Sequence, residues 1–197
     1  MSTDNKRKAR IYFNLFVIAI AMSISLLSCS KPQNAISQPR GGNPLDSFKN
    51  ISFASWLKNT VGFPRITFFS TSKQTIYKTY ADATPNAADI DICFVLDSTN
   101  NNCYMVSPDA LNKVHMPSLA GATHTLYGIS TIGPIQYETL QNDLLLQMEN
   151  PTQDTFSVSG ANLLSFKNAA GKVGLMNGGG GSSSAGANAT YDFKVEQ

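Results

Sequence analysis

The residues of this chain that could do chemistry are few. His115 and His124 lie nine positions apart across Pro117 and Gly121. They lack the His-Glu-x-x-His spacing that sets two imidazoles on one helical face around zinc, so structural or surface roles are expected for both. Asp89, Asp91 and Asp97 lead into "DSTNNN", Asp97 to Asn102, which offers oxygen atoms at alternate positions like the start of a calcium loop. That run has no glycine at its sixth position, and Pro108 stands where a closing bidentate glutamate belongs, so an Asn-rich turn is expected instead. The glycine run at 178–181 is followed by neither a lysine nor a helix and is not a phosphate cradle. No metal or cofactor is expected.

Two serine motifs fail on context. "STSK", Ser70 to Lys73, has the Ser-x-x-Lys spacing of penicillin-binding proteins, but it falls where a turn is expected rather than at the start of a helix. "KTY", Lys78 to Tyr80, lacks the glycine of Lys-Thr-Gly and precedes "STN", Ser98 to Asn100, which reverses the order of that family. "GISTIG", Gly128 to Gly133, is one residue too long for Gly-x-Ser-x-Gly and has no apolar helix after it to form the elbow. The expectation is a protein that is not an enzyme.

Cys93 and Cys103 flank the turn-forming cluster in "DICFVLDSTNNNCYMV". Pairing Cys93 opposite Cys103 puts Ile92 opposite Tyr104 and Ile90 opposite Val106, which makes one apolar face. In that register a cross-strand disulfide is expected, as suits an exported chain. Closing the loop would contribute roughly 2.8 kcal/mol by chain-entropy arithmetic.

The expectation of export comes from the leader. "MSTDNKRKAR" carries Lys6, Arg7, Lys8 and Arg10 against the single acid Asp4, and the apolar run "IYFNLFVIAIAMSISLL" follows at once. A basic segment, an apolar segment and a small-residue exit make a secretory signal peptide, which has no place in the fold. The exit, Leu26, Leu27, Ser28 and Cys29, resembles the lipobox of bacterial lipoproteins. That resemblance covers residues 1–30 and implies cleavage before Cys29, lipid transfer to its thiol and acylation of the new amino terminus. Several chains are needed because one acyl chain holds a protein to a bilayer only marginally. Ser30 after the cysteine, where aspartate would favour inner-membrane retention, makes the outer membrane the expected destination. The alternative is an uncleaved anchor, Ile11 to Ser28, which would span about 27 Å as a helix.

Cleavage would remove four bases and one acid, so the formal charge of +2 would fall by three to −1. The basic character of the whole chain therefore belongs to its leader, and no charged face for nucleic acid is expected. What remains is ample for one domain, able to bury roughly 70% of its unfolded surface.

The elements that must position any site follow from patterning. Residues 29–44 carry three prolines and two glycines without a hydrophobic period and are expected to form a tether behind the lipidated cysteine. Leu45, Phe48, Ser52, Trp56 and Leu57 recur at helical spacing, which predicts an amphipathic helix closed by Gly62. Strands are predicted in "RITFFS", "QTIYKTY", the cysteine hairpin, "THTLYGISTI", "TFSVSG", "NLLSFKN", "GKVGLM" and "TYDFKVE". A short helix is predicted in "SPDALNKVH" with Ser107 as its cap, and a helix passing into a strand over Pro134 to Asn150. The Gly/Ser-rich segment 177–189 reads as a mobile hairpin loop, or as the tether of a strand donated to a partner.

The fold expected is mainly β: an antiparallel sandwich, or a sheet covered by one or two short helices, over 45–197. The function expected is that of a lipid-anchored envelope protein that binds or scaffolds other envelope components, held to the membrane through acyl chains on Cys29. The alternatives are a small-ligand or lipid-binding module with a large apolar cavity inside the sheet, and a hydrolase acting on envelope polymers. Phe68, Phe69, Tyr77 and Tyr80 would mark a protein-docking surface if exposed together and core if buried together.

Overall fold

The computed structural model describes residues 42–57, 65–97, 99–158, 163–183 and 185–197. The chain divides into two units, 1–38 and Pro39–Gln197, and all described residues lie in the second. The signal peptide expected at 1–28 and the lipidated Cys29 lie outside the described residues, as does Gly62.

Among the described residues, ten strands form two antiparallel sheets. One sheet has the order β1 (Leu45–Trp56), β10 (Gly186–Glu196), β9 (Val173–Ser182), β8 (Leu163–Lys167), β6 (Leu126–Ile129). The other has β3 (Thr75–Tyr77), β2 (Ile66–Ser70), β4 (Ile92–Leu96), β5 (Cys103–Val106), β7 (Thr155–Ser157). This is the mainly β sandwich that the strand patterning predicts. Its core lies between the sheets, where Phe48, Phe53, Phe69, Phe94, Phe166 and Phe193 are buried with Tyr127, Tyr191, Leu164 and Met176. Phe69 and Phe193 hold their rings 5.1 Å apart across the two sheets, and Phe53 meets Phe69 edge-on at 5.9 Å. Burial of each such ring contributes about 1.5–3 kcal/mol. The interior that a lipid-binding module would leave hollow is filled here by aromatic side chains.

Side chains tie the sheets along one margin. Thr67 Oγ1 accepts from Ala54 N at 3.0 Å and donates back to Ala54 O, while the buried Ser55 hydroxyl donates to Arg65 O and accepts from Leu96 N at 2.8 Å. The backbone of β1 is thus satisfied at Ala54 on the side away from β10.

The helix predicted from Leu45 onward is instead β1. Phe48 faces Phe193 and Ile51 faces Tyr191, so β1 holds one residue more than β10 between those pairs. Asn50, at φ 58°, makes this bulge, and Asp192 Oδ1 accepts its N–H at 2.7 Å. The bulge reverses the alternation, so Phe48 and Phe53 both point inward although five positions separate them. That spacing imitates a helical face. Trp56, at the end of the strand, lies over Gly186, where a Cβ would come within 2.4 Å of the indole. The cross-strand glycine leaves the room that the aromatic ring fills.

The Gly/Ser-rich segment is also strand rather than loop. Gly178 to Ser182 pair with Tyr191 to Ala187, and the hairpin turns only between Ser182 and Gly186. Gly178 and Gly180 are required by close approach, since a Cβ on either would stand 2.1 Å from a carbonyl oxygen of β10.

Each sheet is covered on its outer face. Over the second sheet, α1 (Tyr80–Ala83) and the 3-10 helices η1 (Thr84–Asp89) and η2 (Pro108–Val114) bury Ile66, Phe68, Cys93, Val95 and Val106. Over the first, α2 (Pro134–Thr139) and η3 (Leu146–Met148) bury Leu163, Val173 and Leu175. The strand predicted for the second half of 134–150 is therefore the turn of η3. Lys194, on the outer face of β10, donates to Tyr137 O and Leu140 O, both at 2.7 Å, and lies 5.0 Å from the Tyr137 ring. Burial depresses its pKa against the opposing pull of Glu138.

The disulfide is corrected by register. Cys93 pairs with Val106 and Leu96 with Cys103, a shift of three residues from the pairing expected. An odd shift turns the two cysteines to opposite faces of the sheet, Cys93 toward the η2 cover and Cys103 into the sandwich, and both are free thiols. The same alternation separates the expected aromatic cluster. Phe69 is in the inner core, and Phe68 packs outward at 5.1 Å from Tyr80.

Candidate functional site

At one end of the sandwich, six chain segments converge on a cleft of about 240 Å³. Asp46 and Phe48 come from β1, Val195 and Glu196 from β10, Asn168 to Ala170 and Lys172 from the β8–β9 turn, Thr71 and Ser72 from the β2–β3 turn, Asp89 and Asp91 from the approach to β4, and Thr123 from the segment before β6. Four carboxylates, Asp46, Asp89, Asp91 and Glu196, line it against the single lysine Lys172.

Local chemistry fixes these segments. Asn168 Oδ1 accepts from Ala170 N and Lys172 N, both at 3.1 Å, and Gly171 takes φ +81°, which folds the β8–β9 turn tightly over the cleft. Glu196 Oε2 accepts from Val173 N at 2.7 Å and holds the end of β10 to the start of β9. Asp91, 7% exposed, is fixed by its own N–H to Phe69 O at 3.0 Å. Its Oδ2 accepts from Thr71 N at 2.8 Å and from the Thr71 hydroxyl. Burial pushes this carboxyl above the ordinary range, and hydrogen bonds from Thr71 and Asn168 offset that only in part. Asp89 instead pairs with Lys73 at 2.6 Å on the surface. A lining of this kind suits a group that brings N–H donors or positive charge, such as an ammonium or a guanidinium.

The sequence motifs resolve into structural roles. In "STSK", Lys73 turns its Nζ to Asp89 and Asn86, while the Ser70 hydroxyl accepts from Lys73 N at 3.2 Å, so no amine activates that serine. In "GISTIG", Ser130 donates to Glu149 Oε1 at 3.0 Å and accepts from Ile132 N, which makes a turn around a buried acid. In "DSTNNN", Asp97 Oδ1 accepts from Thr99 N at 2.9 Å and from Thr99 Oγ1 at 2.7 Å, and Asn101 takes φ 56°, so the side chains serve the turn. Burial opposes ionisation of Asp97, but Thr99 and His115 outweigh it and hold the carboxyl below the usual range.

His124 belongs to a hydrogen-bonded series with Ser107 and Asp109. Its Nδ1 lies 2.9 Å from Asp109 Oδ2, and the Ser107 hydroxyl donates to Asp109 Oδ1 and accepts from Thr125 N. The acid stands in the middle. Nucleophilic catalysis needs the imidazole there, as the base on the hydroxyl, so this order does not activate Ser107. Ser107 also caps η2 differently from expectation, because its side chain does not bond the backbone of that helix. His115 lies apart, in the left-handed conformation at the end of η2, 3.4 Å from Asp97. Among the described residues no three His, Cys, Asp or Glu side chains gather as a metal site.

Asp89 and Asp91 stand out in the sequence; Asp46, Asn168 and Glu196 do not, because only the sheet pairing brings them together. Comparison with protein-family models, curated proteins and solved structures finds no match for this chain.

Proposed function

We propose that this is a lipid-anchored protein of a bacterial envelope, outer membrane rather than inner, whose sandwich domain binds or scaffolds another component without catalysing a reaction. The observation that carries the reading is Leu26-Leu27-Ser28-Cys29 closing a basic and then apolar leader, with the described domain beginning at Gly42 soon after. The Ser107–Asp109–His124 order supports the non-catalytic part.

The test is mass spectrometry of the protein expressed with its leader and purified from membranes, combined with cross-linking in the envelope. An amino-terminal peptide that begins at an acylated Cys29, and a cross-linked partner lost in Cys29→Ser, are the expected results. An uncleaved, unmodified leader overturns the reading. The acidic cleft favours a second reading, a small-ligand module, in which Asp91 and its neighbours receive a cationic group. Saturable, salt-sensitive binding of a diamine, lost in Asp89→Asn/Glu196→Gln, would decide for it.

A further inference from the structure

The described domain begins in a clamp. Asn43 N donates to Asp143 Oδ1 at 2.9 Å and Asn43 Nδ2 to Asp143 Oδ2 at 3.0 Å, while Asp143 N returns a bond to Asn43 O at 3.1 Å. Pro44 bridges Asn142, and a Cβ on Gly42 would meet Asp143 Oδ1 at 2.7 Å. Asp143 is itself 5% exposed. Gly42 to Pro44, expected to belong to the tether, are therefore built onto the 140–146 segment, and the first described residues lie at that place.

The same cover carries two of the three exposed large apolar side chains among the described residues. Among the described residues the exposed large hydrophobics are Ile129, Ile135 and Met148, each above 70% exposed. Ile135 is on α2 and Met148 ends η3, the two elements on either side of the clamp. Ile129 lies at the neighbouring rim, one residue before Ser130, whose hydroxyl is bonded to Glu149. Beneath, Leu45, Leu140, Leu145 and Leu146 join the clamp to both elements in one apolar cluster.

From this arrangement we infer that the α2–η3 face is a membrane-contact surface, seated on the bilayer with Ile135 and Met148 among the lipid headgroups. The inference rests on the lipoprotein reading. Twelve residues stand between Cys29 and Gly42, so thirteen residue steps separate them. Fully extended they reach about 45 Å, and a domain of this length is about 40 Å across. The opposite face could meet the bilayer only with the tether drawn to its limit around the domain, whereas the α2–η3 face meets it with slack to spare. Two large apolar side chains standing in water beside the anchoring point are accounted for when the anchor brings them to lipid.

The test uses the full-length, lipidated protein in vesicles of phosphatidylethanolamine and phosphatidylglycerol containing nitroxide-labelled lipid. Ile135→Cys, Met148→Cys and, on the opposite cover, Ala81→Cys are each labelled with an environment-sensitive fluorophore, with the unmutated protein as the blank for its buried thiols. The expected result is a blue shift and at least threefold stronger quenching at 135 and 148 than at 81. Equal, weak quenching at all three positions on a protein whose Cys29 carries acyl chains overturns the inference and leaves the anchor standing. Protection of 135 and 148 in native envelope membranes but not in pure lipid overturns it in favour of a protein partner. An unacylated Cys29 overturns the lipoprotein reading and this inference with it.

Discussion

Cys93 and Cys103 stand on opposite faces of one sheet, Cys93 opposite Val106 beneath the η2 cover and Cys103 opposite Leu96 between the sheets. Burial raises the pKa of both thiols, Cys93 the more strongly, so little thiolate forms near neutral pH. Denaturing the protein without reductant and alkylating it should add a carbamidomethyl group to each of these cysteines, and the folded protein should react slowly at both. Reductant should leave the urea midpoint unchanged. A loss of roughly 3 kcal/mol on reduction, the scale of a short-loop disulfide, would show that the two are joined and that the β4–β5 register differs.

Asp91 sets a pH dependence of defined sign. Its carboxyl titrates above the unfolded value of about 3.9, because burial outweighs the donors from Thr71 and Asn168. Between those two values the folded state holds more protons than the unfolded one. The contribution of Asp91 is therefore most favourable below the window, declines as pH rises through the folded pKa and is level above it. Urea titrations of wild type and Asp91→Asn from pH 4 to 7 should show the variant gaining on wild type as pH rises. Asp97 acts in the opposite sense, since its lowered pKa makes its contribution fade as pH falls through the folded value.

The strands were legible because β-branched and aromatic residues cluster between turn residues, and Tyr191, Phe193 and Val195 alternate cleanly against Asp192, Lys194 and Glu196. Three of the readings that failed did so for reasons of sheet geometry. The Asn50 bulge displaces the alternation of β1 by one residue, so inward positions fall at spacings that suit a helix. Glycines carry no side-chain pattern, so a glycine strand flanked by β10 reads as a linker until its pairing is known. The cysteine register was open because several alignments of that hairpin give an apolar face, and only the packing of both faces selects one. The cleft was half legible: Asp89 and Asp91 are local neighbours in sequence, whereas Asn168 and Glu196 reach it through long-range pairing.

Glu149 is the acid that sequence reasoning passed over. It is 7% exposed, and its Oε1 accepts from Ser130 Oγ, Thr131 N, Thr131 Oγ1 and Ile132 N, while Oε2 is buried without a partner among the described residues. Removing the carboxylate leaves several buried donors unsatisfied, and Glu149→Ala should cost about 3 kcal/mol. Glu149→Gln keeps an oxygen for those donors and should cost less than half as much. Equilibrium urea unfolding of both variants separates the outcomes; equal losses would mean that the side chain acts through its packing alone.

The glycine strand makes a prediction that composition alone would not. A Cβ at Gly180 would stand 2.1 Å from Asn188 O and 2.6 Å from the Ala189 Cβ, whereas a Cβ at Gly181 meets nothing within 4 Å. Gly180→Ala must push β9 away from β10 and should destabilise by about 2 kcal/mol, the scale of an overpacked site. Gly181→Ala only restricts the unfolded chain and should stabilise by about 0.4–1 kcal/mol. If 177–189 were a loop, neighbouring glycines in it would tolerate alanine alike. Thermal or urea unfolding of the two variants therefore decides between strand and loop, and similar small effects at both positions would remove the β9–β10 pairing beyond Asn177.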